Sequence, residues 1–98
     1  LQNDFCVDEE MPIEPLAGKW RAFNWHVETI DGHRMEAVVS ALEAARARKG
    51  VPTVIIAETV KGKGVSFMEN VADWHGKAPC QAEAGQALDE IRRCACEI

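Results

Sequence analysis

Residues 25–59, WHVETIDGHRMEAVVSALEAARARKGVPTVIIAET, decide the fold of this chain. Trp25 to Ile30 alternates and is rich in β-formers, which predicts a strand. Asp31-Gly32 ends it. Met35, Val38, Val39, Leu42 and Ala45 then recur at helical spacing, with Glu36, Glu43, Arg46 and Arg48 off the stripe, and predict a helix of about four turns. Lys49-Gly50 is a helix stop, a cation in the last turn followed by a glycine able to take the left-handed conformation. After Pro52, residues 53–59 carry Val54, Ile55, Ile56 and Ala57 without strict alternation, the pattern of a strand covered on both faces. Two strands joined by a helix of this length form a βαβ unit with parallel strands. The expected fold class is α/β, a parallel sheet flanked by helices.

Upstream, residues 1–11 have no clear period and carry four acids. Pro15 suits the first turn of a helix, where its missing N–H costs nothing. Leu16, Trp20 and Phe23 form one apolar stripe of that short helix, which ends near Asn24, with Lys19 and Arg21 off the stripe. The Trp20, Phe23, Trp25 cluster is expected in the core. Downstream, residues 60–79, VKGKGVSFMENVADWHGKAP, make a long loop for a compact domain. Phe67, Met68, Val71 and Trp74 give it too much apolar surface for a solvated linker, so it reads as ordered and functional. Ala84, Ala87, Leu88, Ile91 and Ala95 mark a final helix whose polar face carries Glu83, Asp89, Glu90, Arg92 and Arg93. In such a sheet ligands bind outside the carboxyl ends of the strands. Asp31-Gly32-His33 and the loop from Lys61 to Gly76 are therefore expected at one edge.

Ninety-eight residues make one small domain or part of a larger one. The formal net charge of −5 disfavours nucleic acid or an anionic membrane as the main partner. No apolar run approaches the roughly 18–20 residues of a membrane span. LQNDFCVDEE is acidic and lacks the apolar region of a signal peptide. Because the chain opens without a methionine and in mid-phrase, Leu1 is expected not to be a natural start. Cys94-Ala-Cys96 is one residue tighter than the usual C-x-x-C, and no histidine lies near it in sequence. With Cys6 and Cys80, these read as free thiols of a reducing cytoplasm.

Lys61-Gly62-Lys63-Gly64 admits two readings, a cradle of backbone N–H groups for a phosphate or a flexible turn with solvated lysines. It is not a Walker A motif, since the downstream Gly-Lys-Ser/Thr is missing. His75, between Trp74 and Gly76, either moves protons or donates to a phosphate oxygen, or is a loop histidine capped by a carbonyl. His26 and His33 read as structural. The three histidines and Asp31 lack metal-ligand spacing, and no cysteine stands beside a base in a nucleophilic pattern.

Taken together, MPIEPLAGKWRAFNWHVETIDGH, VPTVIIAETVKGKGVSFMEN and WHGKAP resemble transketolase, above all the separate N-terminal subunit of split bacterial and archaeal forms. The likeness covers residues 1–93, the later part of the thiamine-diphosphate-binding domain, and it implies a single partial domain over 1–98. It also implies a transferase of the pentose phosphate pathway, moving a two-carbon ketol unit between sugar phosphates with thiamine diphosphate and Mg2+. His75 matches the family histidine assigned proton-transfer or diphosphate-binding work. Asn3 matches a position where a branched apolar side chain packs on the thiazolium, and Lys61 falls near a second cofactor neighbour. Leu1 matches the residue whose main-chain carbonyl ligates the metal. The Gly-Asp-Gly and Asn-Asn ends of the cofactor motif would precede Leu1, as would the histidines of the substrate channel. The glutamate that activates the cofactor belongs to the C-terminal, pyrimidine-binding subunit, usually across a dimer interface, so this chain alone is expected to be incomplete and inactive.

Three departures stand out. Phe5 replaces a glycine, Asn3 is polar where an aliphatic residue is usual, and Arg34 replaces the acid that caps the next helix, a loss of about 0.5–2 kcal/mol. A comparable loop occurs in 1-deoxyxylulose-5-phosphate synthase, but Met-Pro-Ile-Glu-Pro-Leu and the Phe-Met-Glu-Asn after KGKG favour transketolase. A truncated, non-catalytic interaction module is the reading from a different class.

Overall fold

The computed structural model of the chain describes Cys6 and residues 11–96. Leu1, Asn3 and Phe5 lie outside the described residues. The chain divides into two compact units, Pro12–Thr59 and the part from Val60 onward.

The first unit holds α1 (Leu16–Ala22), β1 (His26–Asp31), α2 (Met35–Ala47) and β2 (Thr53–Glu58). The strands pair in parallel, in register from His26 with Thr53 to Asp31 with Glu58. The His26 N–H donates to the Pro52 carbonyl at 2.9 Å at the amino edge, and the Gly32 N–H to the Glu58 carbonyl at 2.8 Å at the carboxyl edge. Helix α1 packs on β1, and α2 on both strands. This is the βαβ arrangement that the spacing predicts. Cover on both faces of β2 is not realised, because Thr53 to Ile56 are half-buried and Ala57 and Glu58 exposed. With two strands in the described sheet, each strand is an edge strand.

Local chemistry sets the boundaries. Pro15 is the N-cap of α1 rather than a first-turn residue, with φ −79° and ψ 108°. Its carbonyl accepts the Lys19 N–H at 3.2 Å, and Glu14 Oε2 takes the Leu16 N–H at 2.9 Å. At the other end Asn24 adopts the left-handed conformation, φ 67°. Its N–H donates to the Arg21 carbonyl at 2.9 Å, and the Trp25 N–H to the Trp20 carbonyl at 3.3 Å. These are the two bonds of a Schellman motif, completed by the Trp20–Trp25 ring contact, with centroids 4.7 Å apart. The same turn carries Phe23 off the helical stripe. It is the C-cap and is 77% exposed, so the expected three-residue core cluster reduces to the two tryptophans.

Helix α2 begins without a side-chain cap at Arg34. It ends at Ala47, earlier than the Lys49-Gly50 stop, and Gly50 uses its positive φ of 91° in the turn into β2. Its inward face centres on Ala41, 6% exposed, with Ala37, Val38 and Ala45 half-buried. Met35 and Leu42, which the periodicity places inside, are 73% and 57% exposed. A small side chain at 41 allows the closest approach to the strands, and that rotates the stripe.

In the second unit residues 60–71 fold through successive turns into a 3-10 helix, Ala72–Gly76, before α3, Gln81–Cys96. The segment is ordered by its own bonds, as its apolar content suggests. The Asn70 N–H donates to the Lys61 carbonyl at 2.9 Å, and the Met68 and Glu69 N–H groups both reach the buried Val65. Along α3 the half-buried positions are Glu83, Ala84, Ala87 and Glu90, whereas Leu88 and Ile91 are exposed. The helix is therefore turned from its apolar stripe toward two glutamates that bond to the preceding chain. No described helix is long and apolar enough to cross a membrane.

Candidate functional site

The loop brings Lys61 and His75 to one concavity. It has a volume of about 320 Å³ and is lined by Lys61, Gly62, Met68, Val71, Trp74 and His75. Loop closure explains why residues so far apart in sequence meet. Gly62 holds φ +76°, and a Cβ built there would stand 2.6 Å from the Met68 carbonyl oxygen. Only glycine allows that approach, and the approach brings residue 61 back beside 68–75.

Within the 3-10 helix, Trp74 is fixed on three sides. Its Nε1–H donates to the Phe67 carbonyl at 3.2 Å. The Phe67 ring meets it edge-on, with centroids 5.5 Å apart, and Lys77 Nζ lies 4.3 Å from its ring centre. Lys77 in turn lies 4.0 Å from Glu83 Oε2, while Glu83 Oε1 accepts the Cys80 N–H at 3.0 Å. The Cys80 carbonyl receives the Ala84 N–H, so Glu83 performs the return half of a capping box at the start of α3. Glu83 titrates below the usual carboxylate range, chiefly because it accepts the Cys80 backbone N–H and then through the Cys80 side chain and Lys77. His75, the next residue after the anchored tryptophan, is exposed and its ring has no hydrogen bond to another described residue. The carbonyl-capped alternative therefore does not describe it.

The KGKG run resolves differently from a phosphate cradle. The Lys63 N–H donates to the Val60 carbonyl at 3.2 Å, the Gly64 N–H to Glu69 Oε1 at 3.1 Å, and the Val65 N–H to the Gly62 carbonyl at 3.2 Å. With these amides engaged inside the loop, the run serves as a turn. Its lysine side chains, not its backbone, are what an anion would meet.

Elsewhere, His26 Nε2 pairs with Glu28 Oε1 at 2.7 Å, and the His33 N–H donates to Asp31 Oδ1 at 2.9 Å. Cys6, Cys80 and Cys94 are free and exposed. Among the described residues no three His, Cys, Asp or Glu side chains gather as a metal group. The metal position expected at Leu1 and the cofactor contact expected at Asn3 lie outside the described residues. Sequence reasoning placed Glu83 and Glu90 on a solvated face and missed their bonding role. The Cys80-x-x-Glu83 spacing carried a capping signal for the first. Nothing local could reveal the second.

Residues 2–92 match the family model for the transketolase thiamine diphosphate binding domain. The chain is 51% identical over 93 residues to a 6-deoxy-6-sulfo-D-fructose transketolase subunit of Clostridium sp. (strain MSTE9), covering 95% of this chain and 34% of that protein. It is 33% identical over 91 residues to an apulose-4-phosphate transketolase subunit of Phocaeicola vulgatus, covering 93% and 32%. Against the transketolase of Homo sapiens it is 41% identical over 70 residues, covering 71% and 11%. The chain thus spans about a third of the length of the first two relatives.

Proposed function

This chain belongs to the transketolase family of thiamine diphosphate-binding domains, and from that premise we propose that it is part of an enzyme that moves a two-carbon ketol unit between sugars bearing a terminal anion. The observation that carries the reading is the meeting of Lys61 and His75 at one concavity. A cation and an unengaged imidazole beside the apolar walls of Met68, Val71 and Trp74 fit a cofactor with an anionic diphosphate and an organic ring. When bound, thiamine diphosphate supplies the electron sink for making and breaking the carbon–carbon bond. Lys61 Nζ would hold phosphate oxygens. The His75 ring would donate to a phosphate or substrate oxygen, or move a proton there near neutral pH. Trp74, anchored through Phe67 and Lys77, orients the turn that carries His75.

The finer assignments rest on the same resemblance. Mg2+ would take the Leu1 main-chain carbonyl as one ligand, and Asn3 would lie against the cofactor. The names of the two relatives that are themselves subunits support a partner chain, which would carry the pyrimidine-binding portion in a cytoplasmic dimeric assembly. Those names also include one ketose with a sulfonate and one with a phosphate, which supports an anionic sugar terminus as the substrate class.

The test is ketol transfer by the full protein assembled with its partner subunit, comparing wild type with His75→Ala and Lys61→Ala. His75→Ala should lower kcat by roughly 100-fold or more, as expected for loss of an acid–base group. Lys61→Ala should act mainly by weakening cofactor binding, read by calorimetry without any turnover. Unchanged kcat in His75→Ala would overturn the assignment. A companion expectation is that the isolated 98-residue chain binds thiamine diphosphate weakly or not at all, and tight, magnesium-dependent binding to it would contradict that.

A further inference from the structure

A second concavity, about 680 Å³, lies wholly within the first unit, lined by Arg21, Asn24, Trp25, His26, Val27, Arg48 and Val51. It sits at the amino edge of the sheet, where His26 pairs with Thr53, and not at the carboxyl edge marked by Asp31 and Glu58. Six-residue strands separate the two edges by about 17–20 Å, so this is a different place from the edge where α/β sheets usually bind ligands. Nothing in the proposed ketol transfer uses it.

We propose that this concavity binds a small organic anion, a phosphate or carboxylate with an apolar part. Arg21 and Arg48 both line it, and neither guanidinium has an ion pair or hydrogen bond to another described residue. No Asp or Glu is among the lining residues. Glu28, on the same strand as His26 and Val27, pairs with His26 at 2.7 Å and with neither arginine. Both arginines also stand at helix carboxyl ends, Arg21 in the last turn of α1 and Arg48 as C-cap of α2, where the dipole favours a cation. That accounts for each charge separately. It does not account for both arginines lining one hollow together with Asn24, Trp25, Val27 and Val51.

The site is also held in place before any ligand arrives. The Schellman bonds of Asn24 and Trp25 fix the end of α1, and the Trp20 ring braces the Trp25 indole. Guanidinium forks suit phosphate and carboxylate oxygens in two-point contact, and the indole and valines suit a ring or short hydrocarbon.

Indole N–H resonances of the 98-residue chain test this with phenyl phosphate, inorganic phosphate and benzyl alcohol as probes. Trp25 reports on this concavity, and Trp74 separately on the one beside His75. Phenyl phosphate should shift Trp25 saturably, with inorganic phosphate and benzyl alcohol each at least ~10-fold weaker, because each offers half of the contacts. Arg21→Ala/Arg48→Ala should weaken phenyl phosphate at least ~10-fold while the β1 amide dispersion stays native, and the paired lysine variant should recover only part of the loss. No saturable Trp25 shift below about 10 mM would overturn the proposal, since binding of that strength is negligible. Equal affinity in the doubly substituted chain would leave solvated guanidiniums only and overturn it too. A shift confined to Trp74 would count against this site while leaving the ketol-transfer reading intact.

Discussion

Glu90 of α3 grips Ser66 with both carboxylate oxygens, Oε2 accepting the backbone N–H at 2.6 Å and Oε1 the hydroxyl at 2.8 Å. Gln86 Nε2 adds a third bond to Oε1 at 3.1 Å. Ser66 opens the turn whose later N–H groups reach Val65, so a side chain 24 residues away performs the work of an N-cap. The contact ties the loop that carries Lys61 and His75 to the final helix.

That contact should make the loop acid-sensitive. The Ser66 backbone N–H, then its hydroxyl and the Gln86 amide, hold the Glu90 carboxyl below the usual carboxylate range. A carboxyl depressed in the folded state adds stability above its unfolded pKa, near ~4.3 for glutamate, and loses it as pH falls through the lower folded value. The Ser66 amide resonance should therefore hold its position from neutral pH down to that range and move below it. Glu90→Gln should flatten this acid limb without abolishing it, because Glu83 is shifted in the same direction. An acid limb unchanged in Glu90→Gln would show that the loop is held by other means.

Two glycines of one loop should differ in tolerance. Gly62→Ala brings a Cβ to 2.6 Å from the Met68 carbonyl oxygen at φ +76°, whereas Gly64 at φ +96° has nothing within 4 Å of the added carbon. Gly64→Ala should cost about 1–2 kcal/mol for the left-handed backbone alone. Gly62→Ala should cost more, since backbone must also move. Denaturant titration of the two variants checks the order.

The left-handed residue between α1 and β1 gives a second backbone test. Asn24→Ala should destabilise by about 1–2 kcal/mol and Asn24→Gly should be neutral or stabilising, because only the side-chain penalty at φ 67° changes. Thermal unfolding of both separates this from loss of an Asn24 side-chain contact, which would make the two variants equally harmful.

At the start of α2 the uncapped Arg34 offers a gain of stability. Arg34→Asp supplies an acceptor for a first-turn N–H and replaces a cation at the positive helix end, for about 0.5–2 kcal/mol. The exposed Arg34–Glu36 pair at 3.5 Å that it removes offsets little of this. A fall in the unfolding midpoint would count against the cap.

Local sequence determined the elements of this protein. Strand and helix periods placed β1, α2, β2 and α3 to within a few residues, since those signals are written in neighbouring side chains. A helix-length crossover made the strands parallel, and the ordered blocks marked the family. Tertiary structure alone decided which faces turn inward and what meets at the sites. Ala41 rotated α2 because close approach to the strands outweighs the larger residues, and α3 turned Glu83 and Glu90 inward because loop N–H groups needed acceptors. Lys61 came to line one concavity with His75 through a left-handed glycine and the Asn70–Lys61 bond. Contacts between residues distant in sequence depend on loop closure, and no local period records them.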